Sequence, residues 1–282
     1  MLLSLFPGID LFGQAFEAEG FNVVRGPDAI LGGDIRNFHS EPGIFEGLLI
    51  TPPCQPWSKL SRNPDIDYGL EMLAEAKRIV DESQPDWWIM ENVAGVPDFI
   101  VEGYTHQRFD IDQAWYSNTS RLRHIQFGSK NGIYLDVPRG KKGQVDHGCA
   151  LASDGRTFRE LKALQGLPDE FDLEDFTVAG KKKVVGNGVP FVLGRVLAKE
   201  VKRVTRQDEK TCLTGLRKSD APAGKISVTI PGEKSVTDQS RLSVTERCAC
   251  GCGRTVTGRR SYYDYSCRKR AQRQRQKCDA PG

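Results

Sequence analysis

Apolar and polar positions in the first third of the chain switch between two periods, and the switches mark the elements. Residues 2–6 are an apolar run broken only by Ser4, which predicts a buried strand, and Pro7-Gly8-Ile9-Asp10 reads as the turn that ends it. Residues 11–19 set Phe12, Ala15 and Phe16 at helical spacing, and a second strand follows at 21–24. Residues 48–50 make a third strand. An amphipathic helix over 70–82 carries Leu70, Leu73, Ala74, Ala76 and Val80, and residues 87–90 make a fourth strand. The succession strand, helix, strand predicts an α/β fold with a parallel, doubly wound sheet, whose ligands bind beyond the carboxyl ends of the strands.

The later pattern is less regular. Residues 122–127 read as one more strand, whereas 128–158 are rich in Gly, Lys and Asp without lasting periodicity and read as an excursion from the core. Apolar spacing returns over 158–167, and 189–204 predict a helix with Val192, Val196 and Val201 among basic residues. From 206 to 242 apolar density falls and Ser, Thr, Gly and Pro rise, the composition of a flexible linker. Beyond Glu246 the chain is Cys-rich and then strongly basic.

Composition narrows the class. A chain of 282 residues can bury one large core with something smaller beside it. It has no apolar stretch long enough to span a bilayer, and its first residues lack the basic flank of a secretory signal, so a cytoplasmic location is expected. The net charge of +3 says little about partners. Of the eight cysteines, Cys54, Cys149 and Cys212 stand apart while Cys248, Cys250, Cys252, Cys267 and Cys278 crowd the end, which in a reducing compartment favours metal over disulfides.

Several segments at predicted strand ends carry chemistry. Thr51-Pro52-Pro53-Cys54-Gln55-Pro56 sets a cysteine on proline-stiffened backbone just after a buried strand, as a nucleophile would be placed, although a free cysteine taken alone is more often a small hydrophobe. Gly8, in the turn before the first helix, lets backbone approach a ligand, and the turn matches neither a dinucleotide fingerprint nor a phosphate loop. A nucleoside cofactor without a pyrophosphate fits better. Asp28, past the second strand, can accept from ribose hydroxyls or simply serve a turn. In Gly33-Asp34-Ile35 the acid can accept from a purine amine or cap a helix. Glu91 emerges from the core at the end of the fourth strand, where burial should raise its pKa; a salt-bridged structural glutamate is the alternative. Arg121 and Arg123 share one face of an extended segment and together suit a phosphate or carboxylate, although surface arginines taken singly mean little.

Taken in order, the Phe-x-Gly turn, Pro-Pro-Cys-Gln, Glu91-Asn92-Val93, Arg121-x-Arg123 and Gly186-Asn187-Gly188-Val189-Pro190 resemble the cytosine C5 DNA methyltransferase family, as do Arg159-Glu160-Leu161 and Leu164-Gln165-Gly166 before the last of them. The resemblance implies a Rossmann-like S-adenosylmethionine-dependent methyltransferase fold with a mostly parallel sheet. It also implies that Cys54 adds to C6 of a cytosine flipped out of duplex DNA, that Glu91 contacts the N3 and N4 edge, and that Arg123 sits against the base carbonyl with Arg121 beside it. Phe6, Gly8 and Leu11 would hold S-adenosylmethionine, with Asp28 at its ribose, Asp34 and Ile35 at its adenine, and Asn187 and Val189 closing the site.

The chain departs from that family in three places. The interval from Asp28 to Gly33 is too short for the usual helix, which predicts a more open adenine pocket, and Thr119 stands where the family usually has glutamine. Residues 129–157 are far shorter than the usual recognition domain, so either the target site is very short or recognition is shared with another part of the chain. The tail resembles small zinc modules with Cys248, Cys250, Cys252 and Cys267 as ligands, in tight spacing; a basic tail with incidental cysteines is the alternative. Either way Arg268, Lys269, Arg270, Arg273, Arg275 and Lys277 suit phosphate contact.

The expected organisation is a catalytic and cofactor-binding core at 1–128, a short recognition region at 129–158, a return to the core at 159–204, a linker at 205–245 and a zinc-binding basic module at 246–282. The expected activity is DNA cytosine C5 methylation by a monomer with no membrane partner. The same chemistry on RNA, a modified donor, and a non-catalytic DNA-binding relative are the competing expectations.

Overall fold

The computed structural model describes residues 1–141, 145, 147–151, 155–215, 245–247 and 255–257. The chain divides into two units, Met1–Asp220 and Ala221–Gly282. In the first, the elements in order are β1 (Leu2–Leu5), α1 (Leu11–Glu17), β2 (Val23–Arg25), β3 (Gly47–Ile50), α2 (Ile66–Ser83), β4 (Trp87–Asn92), β5 (Gln107–Asp112), β6 (Thr119–Ser120), β7 (Leu122–Ser129), β8 (His147–Gly148), α3 (Phe158–Gln165), α4 (Val178–Asn187) and α5 (Phe191–Gly215).

Six strands form one sheet in the order β2-β1-β3-β4-β7-β5. The first four are parallel, as the sequence predicts, while β7 runs antiparallel to β4 and β5 antiparallel to β7. The strands are apolar on both faces because both faces are covered. Leu2, Leu49, Trp87 and Ile89 face α1 and α5 through Phe12, Phe16, Leu193 and Leu197, whereas Leu3, Leu48, Ile50, Trp88 and Met90 face α2 through Met72, Ala76 and Ile79. A smaller cluster of Leu11, Ala150, Leu161, Leu164 and Val185 fastens α3 and α4 to the start of α1.

Two tryptophans fix the spacing of the central strands. Trp87 pairs in register with Gly47 and Trp88 with Gly128, and each indole lies over its glycine. A β-carbon at Gly47 would stand 2.2 Å from Trp87, and one at Gly128 would stand 2.4 Å from Trp88.

Between β2 and β3 there is no α-helix, only 3-10 turns at Ala29–Leu31 and Ile35–Asn37, so that interval is as abbreviated as its length implies. The excursion after β7 keeps to the edge of the sheet: Gln107 exchanges two hydrogen bonds with Leu135, at 2.7 and 2.9 Å, and β8 pairs with β6. Helix α5 continues to Gly215, so the segment expected to be linker from residue 205 begins as helix. In the second unit, β9 (Thr245–Arg247) and β10 (Thr255–Thr257) pair antiparallel. Among the described residues no helix is long and apolar enough to cross a membrane.

Gly128→Ala should destabilise the first unit by about 1–3 kcal/mol, because the added methyl must displace a fully buried indole. Urea denaturation followed by tryptophan fluorescence reads this directly, and an unchanged midpoint would mean that Trp88 can yield at no cost.

Candidate active site

Parallel register brings three strand ends together. Leu5 pairs with Ile50, and Ile50 with Met90, so Phe6, Thr51 and Glu91 are the next residue of β1, β3 and β4 respectively. Their loops are cross-stitched. Thr51 Oγ1 donates to the carbonyl of Phe6 at 3.0 Å, and buried Asn92 Nδ2 donates to the carbonyl of Pro52 at 3.1 Å. Thus the turn after β1 and the strand end of β4 both hold the proline loop that carries Cys54.

The turn after β1 bends tightly, with φ of +55° at Phe6, +57° at Gly8 and +57° at Asp10. Glycine adopts this region without cost, whereas Phe6 and Asp10 do not and must be held there by surrounding bonds. Asp10 is held by capping α1: its Oδ1 accepts from Gly13 N at 3.1 Å and from the Ser4 hydroxyl at 2.7 Å, and Arg25 lies 2.9 Å from its Oδ2. Asp28 fixes the turn from outside, its Oδ2 accepting from Gly8 N and its Oδ1 from Ile30 N, both at 2.8 Å.

Cys54 sits in a charged setting. Glu91 is buried and pairs with Arg123, whose Nε lies 2.6 Å from its Oε1. Burial pushes the Glu91 pKa up, and the two arginines only partly offset it. Burial raises the Cys54 thiol as well, Glu91 adds to the rise, and Arg123 and Arg121 oppose it.

Arg121 is placed otherwise than its neighbour. Its guanidinium is buried and donates to the carbonyls of Ala150, Gly186 (2.8 Å) and Gly188 (3.2 Å), so it ties the excursion and the end of α4 to the start of β7. Burial, then the like charge of Arg123, lowers its pKa. Gln165 donates to the carbonyls of Val185 (2.5 Å) and Gly188 (3.1 Å), and Gln113 donates to that of Leu164 at 2.6 Å. The Leu164-Gln165-Gly166 segment therefore holds the Gly-Asn-Gly turn in place.

Two cavities meet at the cysteine. One, of about 310 Å³, is lined by Phe6, Gly8, Leu11, Asp28, Cys54, Glu91, Asn187 and Val189. The other, of about 570 Å³, is lined by Cys54, Arg121, Arg123, Cys149, Leu151, Lys183 and Asn187. Cys54, Gln55 and Asn187 line both. Asp34 and Ile35, expected at an adenine, line neither. Asp34 caps the following turn, accepting from Arg36 N at 3.0 Å, and Ile35 is buried in the core under α2. The capping reading of Asp34 is the one that the structure supports. The first cavity also takes Ile30 and Tyr68, half-exposed apolar residues from the shortened interval and the first turn of α2, which periodicity does not distinguish from other surface positions.

The residues present suit a nucleoside-bearing ligand. Gly8 offers backbone without a side chain, Phe6, Ile30 and Tyr68 offer apolar surface, and the Asp28 oxygens retain lone pairs beyond the two backbone bonds they accept. Cys248, Cys250, Cys252 and Cys267 lie outside the described residues, and among the described residues no cluster of His, Cys, Asp and Glu could hold a metal ion.

Residues 29–99 match the family model described as C-5 cytosine-specific DNA methylase, a span that includes Cys54 and Glu91. Type II methyltransferase M.NgoPII of Neisseria gonorrhoeae is similar at 27% identity over 114 residues, 34% of this chain and 33% of that protein. The match thus spans about a third of the curated relative. Among solved structures, the Entamoeba histolytica methyltransferase EhMeth is similar with a TM-score of 0.56 at 13% identity, over 71% of this chain and 96% of that one. An E. coli prophage-encoded protein described as a DNA modification methyltransferase gives 0.53 at 16%, over 73% and 99%. S. pombe Dnmt2 methyltransferase gives 0.51 at 12%, over 72% and 98%. At such identities the structural likenesses establish the fold.

The electrostatics of Cys54 can be read by alkylation. Glu91→Gln removes a negative neighbour and should shift the pH profile of iodoacetamide labelling at Cys54 to lower pH; Arg123→Gln should shift it to higher pH. Peptide mass spectrometry separates Cys54 from Cys149, and coincident profiles would remove both side chains from the thiol's surroundings.

Proposed function

Because the chain is a member of the cytosine C5 methyltransferase family, we propose that it transfers a methyl group from S-adenosylmethionine to C5 of a cytosine flipped out of duplex DNA. The observation that carries this reading is that Cys54 lines both cavities: a thiol between a nucleoside-type pocket and a second, cation-bearing one can act on a base held in the second while a donor occupies the first. Bound in the first cavity, S-adenosylmethionine supplies an electrophilic methyl group.

The chain's own residues activate the base. Cys54 Sγ, as thiolate, adds to C6, and the electron pair displaced from the C5–C6 bond makes C5 nucleophilic; once C5 carries the methyl group, loss of its proton to solvent restores the C5–C6 double bond and expels the Cys54 thiolate from C6. Burial, which raises the Glu91 pKa, favours the protonated carboxyl, and in that form it can donate a proton to N3 as the adduct forms. Protonated Glu91 also withdraws its negative charge from beside Cys54, which favours the thiolate; once the proton has gone to the base, Arg123 at 2.6 Å stabilises the carboxylate left behind. Arg123 thus serves the acid as well as the pocket. Arg121 is spent on backbone carbonyls and acts as a positioning residue for Asn187, through Gly186 and Gly188 on either side of it. Phe6, Gly8, Leu11, Asp28 and Val189 bind the donor in this reading, with Ile30 and Tyr68 taking the adenine role expected of Asp34 and Ile35.

At the tail, the proposal of a structural zinc on Cys248, Cys250, Cys252 and Cys267 rests on the resemblance of that segment to small zinc modules. Metal analysis of the purified full chain should find about one zinc, lost on Cys267→Ser.

With labelled S-adenosylmethionine, unmethylated duplex DNA should accept label as 5-methylcytosine, and Cys54→Ala should lower the rate by on the order of a thousandfold or more. DNA substituted with 5-fluorocytosine should form a covalent complex through Cys54, because fluorine blocks the final elimination. Label passing to tRNA and not to DNA would overturn the choice of nucleic acid, full activity of Cys54→Ala would overturn the mechanism, and a nucleoside mass other than that of 5-methylcytosine would identify a modified donor.

A further inference from the structure

The second cavity has three cations in its lining, Arg121, Arg123 and Lys183. Two of them are committed within the protein. Arg121 is buried and spends its guanidinium on carbonyls of residues 150, 186 and 188, and Arg123 is paired with Glu91 at 2.6 Å. Lys183 is different: it is exposed on α4 and, among the described residues, has neither a carboxylate nor a carbonyl partner. Other lysines of α3 and α4 are used differently, since Lys181 pairs with Asp172 and Lys162 donates to the carbonyls of Asp169 and Phe171 at 2.6 and 2.8 Å.

The position of Lys183 gives that free charge a use. It lies four residues before Asn187, hence one turn away on the same side of α4, and Asn187 borders both cavities. Ser58, Leu60 and Ser61, from the loop that follows Cys54 and its 3-10 turn, line the same cavity and bring no negative charge. Any nucleotide whose base enters this cavity carries a phosphate on each side of its sugar, and these remain at the mouth when the base goes in. A lysine ammonium is a mobile point charge that suits such a group without demanding a fixed geometry.

We propose that Lys183 is a phosphate-binding residue for the nucleotide inserted into the second cavity, and so a positioning residue for the target base. This rests on the reading of that cavity as the one that receives a nucleic-acid base. The contact is to backbone and carries no sequence information. It adds affinity evenly across sequences.

The test is the salt dependence of binding by the full chain, measured by fluorescence anisotropy with a labelled duplex DNA and, separately, with tRNA. Lys183→Ala should weaken binding roughly five- to tenfold at about 0.1 M salt and make the slope of log affinity against log salt shallower by roughly 0.9, the signature of one lost phosphate contact. Lys183→Arg should restore most of both. Equilibrium binding of labelled S-adenosylmethionine should be the same in all three proteins, and because Lys183 is exposed their thermal midpoints should agree, so that a loss of binding cannot be ascribed to unfolding. An unchanged slope in Lys183→Ala would overturn the proposal even if affinity fell. Should duplex DNA fail as a methyl acceptor while tRNA succeeds, the substrate reading fails and the slope is read on tRNA; should neither nucleic acid bind, both readings fall.

Discussion

Glu91 is drawn in two directions by its surroundings, and the arrangement of the site follows from how that conflict is met. The last residues of β4 run through the core between β3 and β7, so a carboxyl at Glu91 loses its water and tends to keep its proton. Arg123 comes from β7, two residues from Ile125, the residue that pairs with Glu91, and its guanidinium reaches the carboxyl at 2.6 Å. A buried acid with one close cation is costly to break and not strongly stabilising in itself. Its consequence is local: whichever proton state Glu91 takes alters the charge felt by the Cys54 thiol. The antiparallel strand β7 is therefore more than an edge to a parallel sheet. It is the element that brings a positive charge to the carboxyl end of β4, where the parallel strands by themselves place only Cys54 and Glu91.

The loops that bear these groups are held by bonds between strand ends and not by helices. Thr51 reaches back to the turn after β1, Asn92 reaches across to Pro52, and Asp28 accepts from Gly8. On the far side, the carbonyl of Gly188 receives bonds from both Arg121 and Gln165. That carbonyl lies near the last turn of α4, where a positive donor also suits the helix dipole. Each of these contacts joins segments distant in sequence. The cavities exist because their walls are tied from several directions.

What the sequence made legible follows from burial. Strands β1, β3 and β4 are covered on both faces, so their apolar runs stand out, and the ends of those runs located Gly8, Cys54 and Glu91. Strand β5 was hidden by Arg108 and Asp110, which face outward at the sheet edge, where one face is polar. Nothing in periodicity reports strand direction, so the antiparallel β7 and β5 could not be told from further parallel strands. Helix α2 begins at Ile66, ahead of the periodic stretch, because Asp65 caps it by accepting from Tyr68 N at 3.0 Å. Asp28 and Asp34 looked alike in sequence, each an acid able to cap or to bind. In the structure both cap a 3-10 turn, and only Asp28 also lines a cavity, since it alone is bonded to the turn after β1. That distinction depends on a contact twenty residues away and is not a local property.

The short excursion between β7 and α3 bears on how so small a segment can contribute to a site. Its first part is pinned to β5 through Gln107, and Tyr116 donates to the carbonyl of Pro138 at 2.5 Å, so it has no freedom to form a layer of its own. Its later part returns through β8, beside β6, and delivers Cys149 and Leu151 to the wall of the second cavity. Between those two residues lies Ala150, whose side chain joins the cluster around Leu11 while its carbonyl takes a bond from Arg121. The same arginine holds the carbonyls on either side of Asn187. One buried guanidinium thereby couples the excursion, the end of α4 and the strand that supplies Arg123. A displacement of the excursion would strip that charge of a carbonyl partner inside the protein, where an unpaired guanidinium is far more costly than on a surface. The segment needs no independent core to be well placed, because the charge it covers holds it there.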